Sequence, residues 1–374
     1  MNSVKILHCA DLHLGLERTS IGNRSKARRA EVRRTFRTIT ELAVREHVKL
    51  LLIAGDLFDA VRLPEDLLTE VRDAFRAIAP IRVVICSGNH DPATPDSVYL
   101  RSGFWSDNVI IFSGELRKKE IPDIGVRLVG AGFCGSYNAS PLLRKTALPQ
   151  DDMINIGIIH GEIVPDGAGS EYNPVYLRRI EESGLHYLAL GHIHKRTEPE
   201  QAGYTTFAYC GCPEGQSFGE TGVKGVYIAD VSQNGCRVEF RPVCSRCWSV
   251  LDVDVSKAHD RDEAAELVRK AMEAENGENY RDNLYRIILK GAPDAGVADR
   301  TEELEARLSD IWYLEIKDRT HLHVNEEELV NENSLRGIFV KQMIKLKGTV
   351  PEEQRELALR LGLKAFNGEI DDIC

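Results

Sequence analysis

The sequence lacks any apolar stretch near the ~18 residues of a membrane-spanning helix, so no membrane span is expected. Its opening residues, MNSVKILHCADLH, lack the basic region, long apolar region and small-residue cleavage site of an export signal. There is no basic excess either. Against 58 Asp and Glu stand 48 Lys and Arg, a net charge of −10, which by itself disfavours a phosphate-rich partner unless charge is segregated. The nine cysteines are scattered, and without an export signal reduced thiols in a cytoplasm are the expected state. Cys210, Cys212, Cys244 and Cys247 spell CxC and CxxC. Four thiols are enough for a structural zinc, but this spacing is not that of a knuckle or ribbon.

With 374 residues the chain is too long for one ordinary domain, and 43% hydrophobic residues can fill more than one core. Five short runs rich in Val, Ile and Leu read as strands buried on both faces: VKILHCADLH, VKLLLIAGD, IRVVICSGNHD, MINIGIIHGE and HYLALGHIH. Each delivers polar side chains at its carboxyl end. The first gives Asp11 and His13, the second Asp56, the third Asn89, His90 and Asp91, the fourth His160, the fifth His192 and His194. In open α/β sheets, sites form outside the carboxyl ends of the strands. The segments between the first runs fit helices. Val32, Phe36, Ile39 and Ala43 recur at helical spacing, and so do Leu67, Leu68, Val71, Phe75 and Ile78 after Pro64.

Asp11, His13, Asp56, Asn89, His160, His192 and His194 are all nitrogen or oxygen donors, too many for one ion. Shared between two ions with Asp56 common to both, they give each a four-ligand shell. Imidazole with carboxylate suits Mn, Fe, Zn or Ni better than Mg or Ca. Two such ions clamp the attacking and leaving oxygens of a displacement at phosphorus. His90 is left over, placed to bond a phosphoryl oxygen and to protonate a leaving alkoxide. Asp91 either orients that ring or holds the turn, and the turn is the preferred reading.

The motifs DxH (Asp11, His13), GD (Gly55, Asp56), GNHD (Gly88 to Asp91), HG (His160, Gly161) and GHxH (Gly191, His192, His194) come in this order. In this the sequence resembles the calcineurin-like metallophosphoesterases. The resemblance implies an α/β four-layer sandwich, two mixed β-sheets flanked by helices. It implies one ion on Asp11, His13, Asp56 and His194, a second on Asp56, Asn89, His160 and His192, and a bridging hydroxide as nucleophile. ADLHLG, AGDLFD, YLALGHIHKR and YCGCPEGQSFGETGVKGVYIAD narrow the likeness to the DNA-repair exonuclease branch of SbcD and YhaO type. It is close over about residues 1–243 and looser over 245–325. Archaeal members carry a His three residues beyond the bridging Asp, where this chain has Asp59, so a role for that His does not transfer.

The expected domains are a phosphoesterase domain at 1–243, a smaller α/β capping domain at 244–325 and a helical tail at 326–374. In the tail, Leu335, Ile338, Phe339, Met343 and Leu346 form one stripe. Thr349 and Glu352 have capping-box spacing, and Asn367-Gly368 reads as a helix stop. The resemblance implies a coiled-coil ATPase partner at such a tail and a homodimer. The run Arg24, Lys26, Arg28, Arg29, Arg33, Arg34, Arg37 follows the first motif. It is either a solvated helix face or, through Arg24, Arg28, Arg29 and Arg33, a grip on nucleic-acid backbone. The whole points to a manganese-dependent phosphodiesterase acting on DNA in repair, an exonuclease with endonuclease action as a further expectation. A phosphodiesterase or protein phosphatase with a small substrate, and a non-catalytic scaffold for DNA ends, are the two rivals.

Overall fold

The computed structural model describes residues 3–16, 21–146, 148–294, 297, 300–320 and 329–366, so the expected stop at Asn367-Gly368 lies outside them. The chain forms two compact units, Met1–Trp248 and Ser249–Cys374. Among the described residues no helix is long and apolar enough to cross a membrane.

The first unit holds two six-stranded sheets. Strands β1 (Ser3–Cys9), β2 (Leu50–Ala54), β3 (Arg82–Cys86) and β4 (Val109–Phe112) run parallel. Next in the chain come β5 (Gly114–Ile121), β6 (Val126–Gly132), β7 (Ile154–His160), a minor pair β8 (Glu162–Ile163) and β9 (Pro174–Val175), then β10 (Tyr187–Gly191), β11 (Glu200–Ala202) and β12 (Thr205–Tyr209). Finally β13 (Gly225–Ser232) and β14 (Gly235–Pro242) join the first sheet antiparallel beside β1. The sheet orders are β14-β13-β1-β2-β3-β4 and β11-β12-β10-β7-β6-β5. In the second sheet β6, β7, β10 and β12 are parallel, with β5 and β11 antiparallel at its edges, so both sheets are mixed.

The strands are apolar throughout because both faces are covered. Ile6, Leu50, Leu52 and Val84 of one sheet pack against Leu128, Ile156, Ile158 and Ala189 of the other. On the far side of the first sheet, Leu7, Leu51 and Val83 meet α1 (Ser25–Arg45) and α2 (Glu65–Ala77) through Phe36, Ile39, Val71 and Phe75. On the far side of the second, Ile159 and Leu188 meet Ile180 of the short α3 (Leu177–Glu181). Each such Val, Leu, Ile or Phe side chain contributes about 1.5–3 kcal/mol over its exposed state. These are the four layers of the resembling family. The unit extends through Trp248, whose indole N–H donates to Gly215 O at 2.8 Å.

The second unit sets β15 (Trp248–Asp254), β16 (Leu284–Lys290) and β17 (Tyr313–Asp318) in one sheet, joined through α4 (Arg261–Asn276) and α5 (Thr301–Arg307). Helices α6 (Leu335–Lys345) and α7 (Glu352–Phe366) follow. The tail departs from expectation in two places. Thr349 does not cap α7, since its hydroxyl donates back to Leu346 O at 2.7 Å. The stripe on α6 divides: Phe339 and Met343 pack with Leu359 and Leu363 of α7, while Leu335, Ile338 and Leu346 are exposed. One neighbouring helix covers only part of the face.

His8 lies between the two sheets, fully buried. Its Nδ1 stands 2.9 Å from Tyr187 Oη and its Nε2 3.2 Å from Leu190 O. Nε2–H donates to the carbonyl and Nδ1 accepts from the phenol, which satisfies a neutral ring. Burial lowers its pKa from 6.5 to about 3, with the Leu190 carbonyl opposing. Below the ordinary value the unfolded chain binds a proton that the native ring refuses. Stability therefore falls as pH drops through that window, by about 1.4 kcal/mol per pH unit from this residue. In His8→Gln, the loss of unfolding free energy between about pH 7.5 and pH 5 is expected to shrink by about 2 kcal/mol, read by urea titration.

Candidate dimetal centre

Five strand ends supply the site. β1, β2 and β3 run out into Asp11 and His13, Asp56, and Asn89 with His90; β7 ends on His160, and β10 leads into His192 and His194. Asp11, His13, Asp56 and His192 have φ of 54°, 47°, 47° and 98°. Such conformations cost a non-glycine residue about 1 kcal/mol or more and persist where neighbours fix them. Here backbone ties do so. Asp11 N–H donates to Gly55 O at 3.1 Å, His13 N–H to Asp56 O at 3.0 Å, and His192 N–H to the Asp11 carboxylate at 3.1 Å.

The side chains consequently meet. Asp56 Oδ2 lies 3.7 Å from His13 Nε2 and 3.4 Å from His160 Nε2, while its Oδ1 accepts from His90 N–H at 2.9 Å. Donor atoms of Asp11, His13 and His194 lie within 4.8 Å of one another, and so do those of Asp11, Asp56 and His160. Asn89 Oδ1 is 2.9 Å from His160 Nε2 and 3.2 Å from His192 Nδ1. Tyr172 stacks on the His192 ring with centroids 4.9 Å apart.

The donor chemistry tests whether cations fit. His13 Nδ1 faces Asp59 Oδ1 at 3.0 Å, and His194 Nδ1 faces Glu220 Oε1 at 2.6 Å. An ionised carboxylate only accepts, so each Nδ1 carries a proton. In the neutral rings the bare Nε2 lone pairs then face each other, 3.1 Å apart. His160 repeats the pattern: Nδ1–H donates to Ala54 O at 2.9 Å, which turns Nε2 toward Asn89 Oδ1 and Asp56 Oδ2. Converging acceptors with outward-held N–H groups are what a divalent cation satisfies. Ligand nitrogens about 2.0–2.1 Å from one ion stand about 3 Å apart. The residues fit.

Without a cation, a proton on His160 Nε2 faces Asn89 Oδ1 and Asp56 Oδ2 in its place. Burial acts to lower the His160 pKa, but the Asp56 and Asp11 carboxylates outweigh it and raise it to about 9. Burial acts to raise the pKa of Asp56, yet the His160 and His13 rings hold it below the usual range. His192 is lowered to about 4 by burial and by the charge of His160. His90 is half-exposed, and its Nδ1 lies 3.5 Å from Asp59 Oδ1, the contact that raises its pKa against burial. Asp91 is buried and holds the turn: its carboxylate accepts from Gly88 N–H at 2.8 Å, Phe58 N–H at 3.0 Å and Tyr99 O–H at 2.5 Å. Burial and the nearby Asp56 push it up to about 7.

The arginines separate. Arg24 is exposed. Arg28 is not a surface contact at all: it is fully buried, paired with Glu31 at 3.0 Å and with Glu214, so it is withdrawn from any nucleic-acid role. Its position on α1, four before Val32, puts it on the buried face. Arg29 and Arg33 line a cavity of about 150 Å³ together with His13. Arg33 also stands 3.3 Å from Asp66 and 3.4 Å from Glu70. Among the described residues, no group of potential metal donors joins Cys210 and Cys212 to Cys244 and Cys247. None of those four is joined in a disulfide. Two residues of the centre carry no sequence signal of their role: Glu220 ends no apolar run, and Asp59 stands out only as a departure from the archaeal pattern.

The sequence model described as calcineurin-like phosphoesterase matches residues 4–196. This chain belongs to that family. The phosphoesterase is therefore placed among hydrolases that use divalent metal ions. It is 26% identical over 359 residues to the uncharacterized metallophosphoesterase YhaO of Bacillus subtilis (strain 168), covering 90% of this chain and 86% of that protein. It is 28% identical over 249 residues to the DNA double-strand break repair protein Mre11 of Saccharolobus solfataricus, covering 62% and 61%. It is 36% identical over 94 residues to a subunit of the nuclease SbcCD of Rhodobacter capsulatus, covering 24% and 22%.

Close backbone approach is what the phosphoesterase requires at its centre. A Cβ on Gly191 would lie 1.8 Å from Ala54 O in the facing sheet. Gly191→Ala is expected to lower the thermal unfolding midpoint by about 5 °C or more, in line with overpacking penalties. Gly135→Ala, where a Cβ meets nothing within 4 Å, serves as the control and should shift it little.

Proposed function

We propose that this chain is a two-metal phosphodiesterase that cuts DNA in repair. The observation that carries the reading is Asp56, whose Oδ2 stands between His13 on one side and His160 on the other. Asp11, His13, Asp56 and His194 would hold one ion, and Asp56, Asn89, His160 and His192 the second, with manganese the preferred metal. When bound, such ions neutralise the phosphoryl charge and align the attacking and leaving oxygens.

The chain's own groups do the rest. With Nδ1 of His90 turned to Asp59, Nε2–H is left to donate to a phosphoryl oxygen and then to the leaving alkoxide. Asp91 keeps the Gly88–Asp91 turn closed, so Asn89 and His90 project to opposite tasks. The guanidinium forks of Arg29 and Arg33 suit backbone phosphates next to the scissile one. DNA is favoured over a small diester by these arginines and by two relatives named as a DNA double-strand break repair protein and a nuclease subunit. The exposed Leu335 and Ile338 suit an apolar helical seam on a coiled-coil ATPase.

The test strips the purified protein of metal and restores Mn2+. Nucleotide release from duplex DNA is then compared with hydrolysis of bis(p-nitrophenyl) phosphate. DNA cleavage is expected, reduced about 10²-fold or more in His90→Ala with Mn2+ uptake intact, and abolished in Asp56→Asn. Ester turnover with untouched DNA would assign the activity to small diesters. Full activity in Asp56→Asn would overturn the two-metal reading.

A further inference from the structure

The buried Arg28, Glu31 and Glu214 have no part in the chemistry above, yet Arg28, itself paired with Glu31, pins at Glu214 and Gly215 a loop that touches His194. Residues 211–220 run from the end of β12 to Glu220. At their start, Cys212 N–H donates to His194 O at 3.1 Å. Gly211 has φ +73°, and a Cβ there would lie 2.8 Å from the same carbonyl, so the loop presses on the His194 backbone. In the middle, Arg28 bonds the Glu214 carboxylate and donates to Gly215 O at 3.1 Å, which Trp248 also reaches at 2.8 Å. Glu214 Oε1 further accepts from Thr35 O–H and Ser245 N–H, each at 2.5 Å.

At the far end, Glu220 meets the His194 ring at Nδ1. Its other oxygen is occupied by Gln216 N–H at 2.5 Å and by the Cys212 thiol at 3.7 Å. The carboxylate thus has one orientation, and it offers that orientation to one imidazole. The loop grips His194 twice, at the main-chain carbonyl and at the ring.

We propose that Glu220 is a positioning residue that sets the tautomer and basicity of His194 and thereby the affinity of the adjoining cation site. The proposal rests on the reading of His194 as a metal ligand. A carboxylate accepting from Nδ1–H fixes the proton there, leaves Nε2 bare, and makes that nitrogen a better donor to a cation. Removing such a partner costs about 10–100-fold in metal affinity. A glutamine in its place keeps an acceptor oxygen while losing the charge.

The experiment is calorimetric titration of the metal-stripped full chain with Mn2+ alone, beside thermal unfolding. The wild type is expected to take up two ions. Glu220→Ala is expected to bind one of them about 10–100-fold more weakly, at an unfolding midpoint close to wild type when no metal is present. Glu220→Gln is expected to recover part of the affinity, since its one carbonyl oxygen can face the ring while its NH2 then meets Gln216 N–H. Two ions bound by Glu220→Ala with unchanged affinity would overturn the positioning role while leaving the dimetal reading intact. No uptake by the wild type would instead overturn the dimetal reading itself. Should Glu220→Ala unfold, Glu220→Gln decides: affinity reduced as far as in His194→Ala, with its fold kept, overturns positioning through the hydrogen bond.

Discussion

The site depends on the contact between the carboxyl ends of two sheets. Gly191 at the end of β10 lies so close to the Ala54 carbonyl of β2 that no side chain fits between them. That approach brings His192 and His194 of one sheet against Asp11, His13 and Asp56 of the other. Gly55 continues the same seam, where an added Cβ would lie 2.2 Å from His160 Nδ1, and within the first sheet Gly88 is as crowded, its added Cβ 2.0 Å from Asp56 Oδ1. Packing density between Ile6, Leu52, Ile156 and Ala189 thus becomes a positional constraint on donor atoms. The hydrophobic interior and the polar rim are one mechanical object.

Around that seam the proton positions are arranged by neighbours of unlike character. Asp59 and Glu220 back two of the imidazoles with full negative charge, whereas a neutral carbonyl backs His160. The carboxylate of Asp91 is spent on two backbone N–H groups and a tyrosine hydroxyl, so it shapes the turn and leaves His90 to Asp59. Acidic residues close in sequence to the centre therefore serve three distinct ends: donor, ring partner and turn lock.

The parts legible in the sequence are those governed by one-dimensional pattern. Continuous apolar runs betray strands covered on both faces, and a strand can only deliver its next residues at its own end. His160, His192 and His194 can be found that way, and so can the buried stripes of α1 and α2. What cannot be found depends on facing partners. Arg28 reads as a surface charge until Glu31 and Glu214 appear beside it. Glu220 sits in a loop with no period. Leu335 and Ile338 share a stripe with Phe339, but only the second helix decides which of them is covered.

The residues of the candidate centre come from segments as far apart as Asp11 and His194, with Glu220 behind the last of them, and that separation has a consequence for biosynthesis. A growing polypeptide still on the ribosome presents the first sheet's half of the cage, Asp11 through Asn89, long before β7 and β10 exist. Until translation passes β10 and His194, the side chains that surround Asp56 are incomplete. The first sheet is itself left open until β13 and β14 arrive, so the second sheet is laid down inside the chain of the first.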